Sequence, residues 1–151
     1  MTVNSDLDYI DHKILSCVAT DGRISVTDLA EKIGLSKTPT QLRLKRLQAD
    51  GFIEGFRAII NAVKLNLEHV AFVEVKLSDT RENALNKFNA AVKKISEVEE
   101  CHMIAGAFDY LLKVRTSDIK AYRLVLAEKI SGLPHVASTS TFVAMQAVKE
   151  K

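Results

Sequence analysis

Over the first fifty positions apolar residues return at three- and four-residue intervals. Leu7, Ile10, Ile14, Leu15 and Val18 predict an amphipathic helix from Asp6 to Thr20, ended near Asp21-Gly22. Ser25 stands before the next periodic stretch with Asp28 three residues on. This resembles a capping box in which the Asp28 carboxylate replaces the usual Glu, and a second helix, Val26 to Ile33, follows. Gly34-Leu35-Ser36 then turns the chain: Gly34 can close a helix in the left-handed conformation, Leu35 can plug the core and Ser36 can cap the next start. A third helix runs from Lys37 to Asp50, with Pro39 tolerated in its first turn, Gly51 at its end, and Thr40, Leu44 and Leu47 inward. Ala30, four residues before Gly34, is small enough to let the second and third helices cross closely, as in a helix-turn-helix.

Past Gly51 the period shortens. Phe52 to Ile60 alternates enough to be strand, broken at Gly55, as a wing following the helices would be. Residues 1–60 are therefore expected to form one domain, 61–67 a hinge and 68–151 a second domain. In the latter, His69 to Leu77 alternates as a strand, with Val70, Phe72 and Glu74 on one side and Ala71, Val73 and Val75 on the other. Leu85, Phe88, Val92 and Ile95 mark a helix from about Thr80 to Lys94; Val98 to Ile104 and Tyr110 to Val114 are strand-like. Ile119, Tyr122, Leu126 and Ile130 mark a second helix, stopped by Gly132 and Pro134 before a last strand from Val136 to Met145. The expected class is α+β: a winged helix-turn-helix followed by a ferredoxin-like βαββαβ domain, both helices on one face of an antiparallel sheet. The bare face needs a partner, which predicts a homodimer of the kind a reader of two half-sites requires.

Composition narrows the function less than local charge does. The net charge is +2, with eight basic and eight acidic residues up to Asn61, so bulk charge does not announce nucleic acid. Lys37, Arg43, Lys45 and Arg46, however, fall within ten residues that contain no Asp or Glu, a footprint suited to phosphate and also to a solvated helix face. In the major groove of double-stranded DNA, the exposed end of this helix would bring Lys37, Thr38, Gln41 and Leu42 to base edges, with Ser36 at its cap. Arg43, Lys45 and Arg46 would flank the backbone, and Arg57 would add a phosphate contact or a salt bridge. Gln41 suits adenine and Lys37 guanine. No apolar run approaches the roughly 18 residues of a membrane span and Met1 to Leu7 is polar, so the cytoplasm is expected; Cys17 and Cys101, without CxxC or His spacing, read as reduced thiols.

Several blocks in order resemble the Lrp/AsnC, or feast/famine, family of regulators over nearly the whole chain. They are Leu7-Asp8-Tyr9-Ile10-Asp11, Asp21-Gly22-Arg23-Ile24-Ser25, Gly34-Leu35-Ser36-Lys37-Thr38-Pro39, Phe88-Asn89-Ala90-Ala91-Val92, Glu99-Glu100-Cys101-His102, Gly106-Ala107-Phe108-Asp109-Tyr110-Leu111-Leu112-Lys113 and Leu133-Pro134. The resemblance implies a nucleoid-associated transcription regulator. Its second domain would bind a small amino acid between dimers, and the dimers would assemble further, often to octamers. Effector contacts would come from Gly106, Phe108, Asp109 and Tyr110 and from Phe142, Val143 and Ala144, with Asp109 answering the ligand's ammonium group and backbone N–H groups near Gly106 its carboxylate. Within the family, Gly55-Phe56-Arg57-Ala58, His69 to Val75 and Asp79-Thr80-Arg81 look most like proteobacterial activators of proline dehydrogenase, which puts proline first as effector and leucine or methionine next. Thr40 stands where the family usually buries an aliphatic residue, and Ala107 replaces an acidic residue of leucine-responsive relatives, which weighs against leucine.

Other function classes find little support. His12, His69, His102 and His135 show no metal-ligand spacing, and there is neither a GxSxG nor a Gly-rich phosphate loop, so no enzyme, cofactor or metal is expected. RNA-recognition motifs share the βαββαβ order but stack bases on aromatics of the middle strands; Val98 to Ile104 has none and Tyr110 to Val114 only Tyr110. An oligomeric amino-acid sensor without specific DNA binding is the alternative that remains, and it requires the basic helix to be incidental.

Overall fold

The first helix begins where an aspartate can accept amides. In the computed structural model, which describes residues 7–150, α1 spans Tyr9–Thr20 behind an N-cap at Asp8, whose side chain accepts from Asp11 N–H while the Asp11 carboxylate accepts from Asp8 N–H. This reciprocal box moves the start later than Asp6, which lies outside the described residues. Helix α2 is Val26–Ile33. Its cap differs from the expected box: Ser25 Oγ accepts from Asp28 N–H, but the Asp28 carboxylate takes the Ser25 hydroxyl at 2.6 Å instead of the cap's backbone N–H, since Asp is one methylene shorter than Glu. Gly34 closes α2 at φ 77°, in the left-handed region, and α3 runs Lys37–Ala49, with Asp50 as its C-cap and Gly51 at φ 79°.

Ile14, Leu29, Ile33 and Leu47 form the core between these helices, with Leu7, Ile10, Leu35, Leu44 and Ile53 packed around it. Ala30 is buried at the close crossing of α2 and α3, where a larger side chain would hold the helices apart. The strand expected over Phe52 to Ile60 does not form. Ile53 N–H bonds back to Leu47 C=O, but beyond it the chain meets no neighbouring strand, and Phe56, Ile59 and Ile60 stay largely exposed. An isolated extended segment has no ladder to join.

The chain divides into two compact units, one ending at Ile59 and one beginning at Ile60. The segment expected as a hinge lies in the second and holds a short 3₁₀ helix, Val63–Leu65. There follow β1 (His69–Leu77), α4 (Glu82–Val92), β2 (Val98–Met103), β3 (Tyr110–Thr116), α5 (Ile119–Val125) and β4 (Val136–Val143). The sheet order is β2-β3-β1-β4 and all its pairings are antiparallel. Helix α4 is shorter than expected because Arg81 takes the N-cap position and Lys93 the C-cap. The second helix does not run straight: α5 widens after Val125 into a π turn over Leu126–Ile130, and Ile119, expected inside, is 55% exposed while Tyr122, Val125 and Ile130 are buried. No helix among the described residues is long and apolar enough to cross a membrane.

Alternate residues Ala71, Val73 and Val75 of β1 and Tyr110, Leu112 and Val114 of β3 point into one core with Phe88, Val92, Tyr122 and Ile130. Phe88 is fully buried and its ring lies 4.4 Å from that of Tyr110. Phe88→Ala is expected to lower the stability of this unit by about 3–5 kcal/mol in chemical denaturation, while amide exchange in α1–α3 keeps its wild-type protection.

Candidate nucleic-acid interface and effector loop

Helix α3 turns one side inward and the other to solvent. Thr40 and Leu47 are fully buried, and the Thr40 hydroxyl is satisfied by donating to Ser36 C=O at 2.9 Å, which is how a polar residue occupies a position suited to an aliphatic one. Ser36 caps by backbone conformation alone, without a side-chain bond, so its hydroxyl stays exposed beside Lys37 and Thr38. Lys37, Thr38, Gln41, Leu42 and Lys45 are all exposed, Leu42 at 64%. The first turn of α3 contains no acidic residue, so the positive end of the helix dipole is left uncompensated. Arg57 is exposed in the irregular segment after α3.

Arg43 and Arg46 are placed differently from the other basic residues. Arg43 Nη1 donates to Asp8 Oδ2 at 2.6 Å and to Asp11 Oδ1 at 2.9 Å, and Arg46 Nη2 donates to Asp11 Oδ2. The Asp11 side chain is 1% exposed. The sequence alone places Asp8 and Asp11 in a block that resembles the family and gives them no partner. The overlooked signal was two carboxylates at one end of α1 in a unit whose densest cation cluster lies on α3.

These contacts bias protonation. Burial pushes the Asp11 carboxyl up, but bonds from Arg43, Asp8 N–H and Arg46 outweigh it and hold the group below the usual carboxylate range. Asp8 is lowered chiefly by Asp11 N–H and then by Arg43, and Arg43 is raised by both carboxylates. A carboxyl lowered on folding contributes stability that is complete above its unfolded value and is lost as pH falls through the folded one. The helical unit is therefore expected to lose stability in acid below about pH 4. Asp11→Asn should flatten that acid limb and cost about 2–4 kcal/mol at pH 7, read by urea denaturation across pH.

In the second unit the loop between β2 and β3 holds Gly106 and Phe108 near the surface and turns Asp109 inward. Asp109 N–H donates to Val75 C=O, its own C=O accepts from Ile104 N–H, and its Oδ2 accepts from Leu77 N–H at 2.7 Å where β1 shifts register against β4. Lys76 Nζ lies 3.7 Å from Asp109 Oδ1. The carboxylate expected to answer a ligand's ammonium group is thus already bonded to a backbone amide and faces an ammonium of its own chain.

The remaining effector candidates do not converge within one chain. Tyr110 faces the helices and is 2% exposed, whereas Phe142, opposite Phe72 across β1 and β4, faces the bare side at 55%. Tyr110 pairs with Val75 and Phe142 with Phe72, so the two are offset by three β1 residues, about 10 Å along the strands, with β1 between theirs. Val143 is exposed, and Ala144 is partly buried with its N–H bonded to Val70 C=O. On the bare side Lys113 and Arg115 of β3 are paired with Glu99 and Glu150. Among the described residues no group of three or more His, Cys, Asp or Glu could hold a metal.

Comparison with known proteins follows the same division. Residues 7–54 match the family model for winged helix-turn-helix DNA-binding, and residues 70–151 the model for the Lrp/AsnC ligand binding domain. A proline dehydrogenase transcriptional activator of Rhizobium radiobacter is 68% identical over 96% of this chain and 93% of its own length. Another, of Rhodobacter capsulatus, is 54% identical over 96% and 94%. A transcriptional regulator of Neisseria meningitidis, solved as an L-Met complex, superposes with a TM-score of 0.89 at 28% identity, over 95% of this chain and 93% of that one.

Proposed function

Because this chain belongs to the Lrp/AsnC family of DNA-binding transcription regulators, we propose that α3 reads an operator and that proline bound between copies of the second unit adjusts the reading. The observation that carries the first half is the exposed face of α3. It sets Lys37, Thr38, Gln41, Leu42 and Lys45 in solvent on a helix whose opposite side is fixed by Thr40 and Leu47. Lys37, Thr38 and Gln41 supply hydrogen bonds to base edges, and Leu42 an apolar surface suited to a thymine methyl. Ser36, Lys45 and Arg57 supply phosphate contacts, while Arg43 and Arg46 hold α3 against α1. The protein would act in the cytoplasm on the nucleoid. Its function is regulatory, as in its family, and not enzymatic.

Support for an effector held between chains comes from the scatter of the candidate residues. Gly106 and Phe108 sit at the β2–β3 loop and Phe142, Val143 and Ala144 at the far end of β4, so a ligand touching both sets needs two chains. The bare sheet face, with Phe72 and Phe142 paired in its surface, supports a homodimer, and the family points to further assembly to an octamer. Proline is favoured because the relatives at 68% and 54% identity are activators of proline dehydrogenase.

Binding, calorimetric and mass measurements test this. Selection of bound duplexes from a random pool should yield a palindromic consensus. On the selected duplex, Gln41→Ala should relax preference at one base position by ~1–3 kcal/mol. Lys45→Ala should weaken all sequences alike and flatten the log–log salt slope by about 0.9. Calorimetry should show proline binding in the millimolar range or tighter, with leucine and methionine weaker. Sedimentation should give two or eight times the chain mass; a monomer that binds proline would remove the shared site.

A further inference from the structure

Helix α3 carries four cations, Lys37, Arg43, Lys45 and Arg46, and two of them face carboxylates of α1. Arg43 bonds both Asp8 and Asp11, Arg46 bonds Asp11, and these four formal charges sum to zero. Among the described residues Lys37 and Lys45 make no ion pair. The two carboxylates are not equivalent. Asp11 is buried and every contact it makes is internal, whereas the side chain of Asp8 is 50% exposed at the rim, next to an Arg43 that is itself 30% exposed.

We propose that Asp8 sets the strength of DNA binding: by pairing Arg43 in cis at the rim, it offsets one cation of the reading helix and lowers affinity for operator and random DNA alike. The inference rests on the reading of α3 as the DNA-contacting helix. Each phosphate that a protein neutralises releases counterions whatever the base sequence, so every available cation strengthens random and specific binding together. Discrimination comes from base-edge contacts, so a change confined to the sequence-blind part moves affinity and leaves the operator-to-random ratio as it was. The Asp8 carboxylate, 2.6 Å from Arg43 Nη1, offsets the charge that a phosphate would meet there, which makes Arg43 a weaker phosphate partner than Lys45. Asp11 bonds the same Nη1 from inside, so Arg43 stays at the rim when Asp8 is neutralised and can meet a phosphate there.

The neutral variants Asp8→Asn and Asp8→Ser retain a side-chain oxygen able to cap α1, since Asn and Ser match Asp at that position, so the charge is removed while the helix start is preserved. The full-length variants are titrated at several salt concentrations against the duplex selected from the random pool and against a scrambled duplex of the same length. Both variants should bind both duplexes severalfold more tightly at low salt, with a salt slope steeper by up to about 0.9 and an unchanged selected-to-scrambled affinity ratio. In an Arg43→Ala background the same change should leave the slope unmoved. Unchanged slope and affinity in variants whose thermal unfolding matches wild type would overturn the proposal and leave the operator reading intact. A wild-type protein that binds neither duplex would overturn both, and equal weakening on both duplexes would reduce Asp8 to a fold-stabilising cap.

Discussion

A carboxylate taken out of water must be given cations or donors, and Asp11, 1% exposed, receives all of its partners from two places: the start of its own helix and two arginines of α3. The geometry of the first unit follows from that requirement. The Asp8–Asp11 box fixes where α1 begins, the two guanidiniums fix which side of α3 faces α1, and Thr40 and Leu47 then close the core. What is left facing solvent is the row Lys37, Thr38, Gln41, Leu42 and Lys45, so the exposed face of α3 is the complement of an ion-pair network anchored on one buried carboxylate.

Glycine at Gly34 makes this arrangement possible. A left-handed residue lets the backbone leave α2 and enter α3 within three positions, and Ala30 lets the two helices approach at the crossing. The second unit solves a different problem, since both its helices cover the same side of a four-stranded sheet. The uncovered side mixes a paired Phe72 and Phe142 with the ion pairs of Lys113 and Arg115, a surface neither wholly apolar nor wholly solvated. That mixture suits contact between copies of a regulator better than a permanent dry core.

Much of this was legible in the residues. His69 to Leu77 and Val26 to Ile33 were read with their observed bounds because alternation and caps are local signals. The strand after Gly51 was misread because alternation reports a conformation that needs a neighbour, and the chain offers none there. The helix marked by Ile119, Tyr122, Leu126 and Ile130 is present, but a π turn shifts its apolar stripe by one residue, a slip that 3.6-residue periodicity cannot register. Asp109 looked like a ligand-facing acid, and only the register shift of β1 at Leu77 shows which amide it serves.

By itself the sequence determined the order of most helices and strands, that two compact units follow one another, that α3 is basic, and which family the chain resembles. All of these depend on residues within a few positions of each other or on blocks kept in order. The tertiary structure alone decided which charges meet. Arg43 and Asp8 are thirty-five residues apart, and Leu77 and Asp109 thirty-two. It also decided that Tyr110 and Phe142 emerge on opposite faces of one sheet. The physical reason is that composition and periodicity state which side chains are available for pairing, whereas the partner of a charge or an amide is chosen by distances that exist only after the elements have packed.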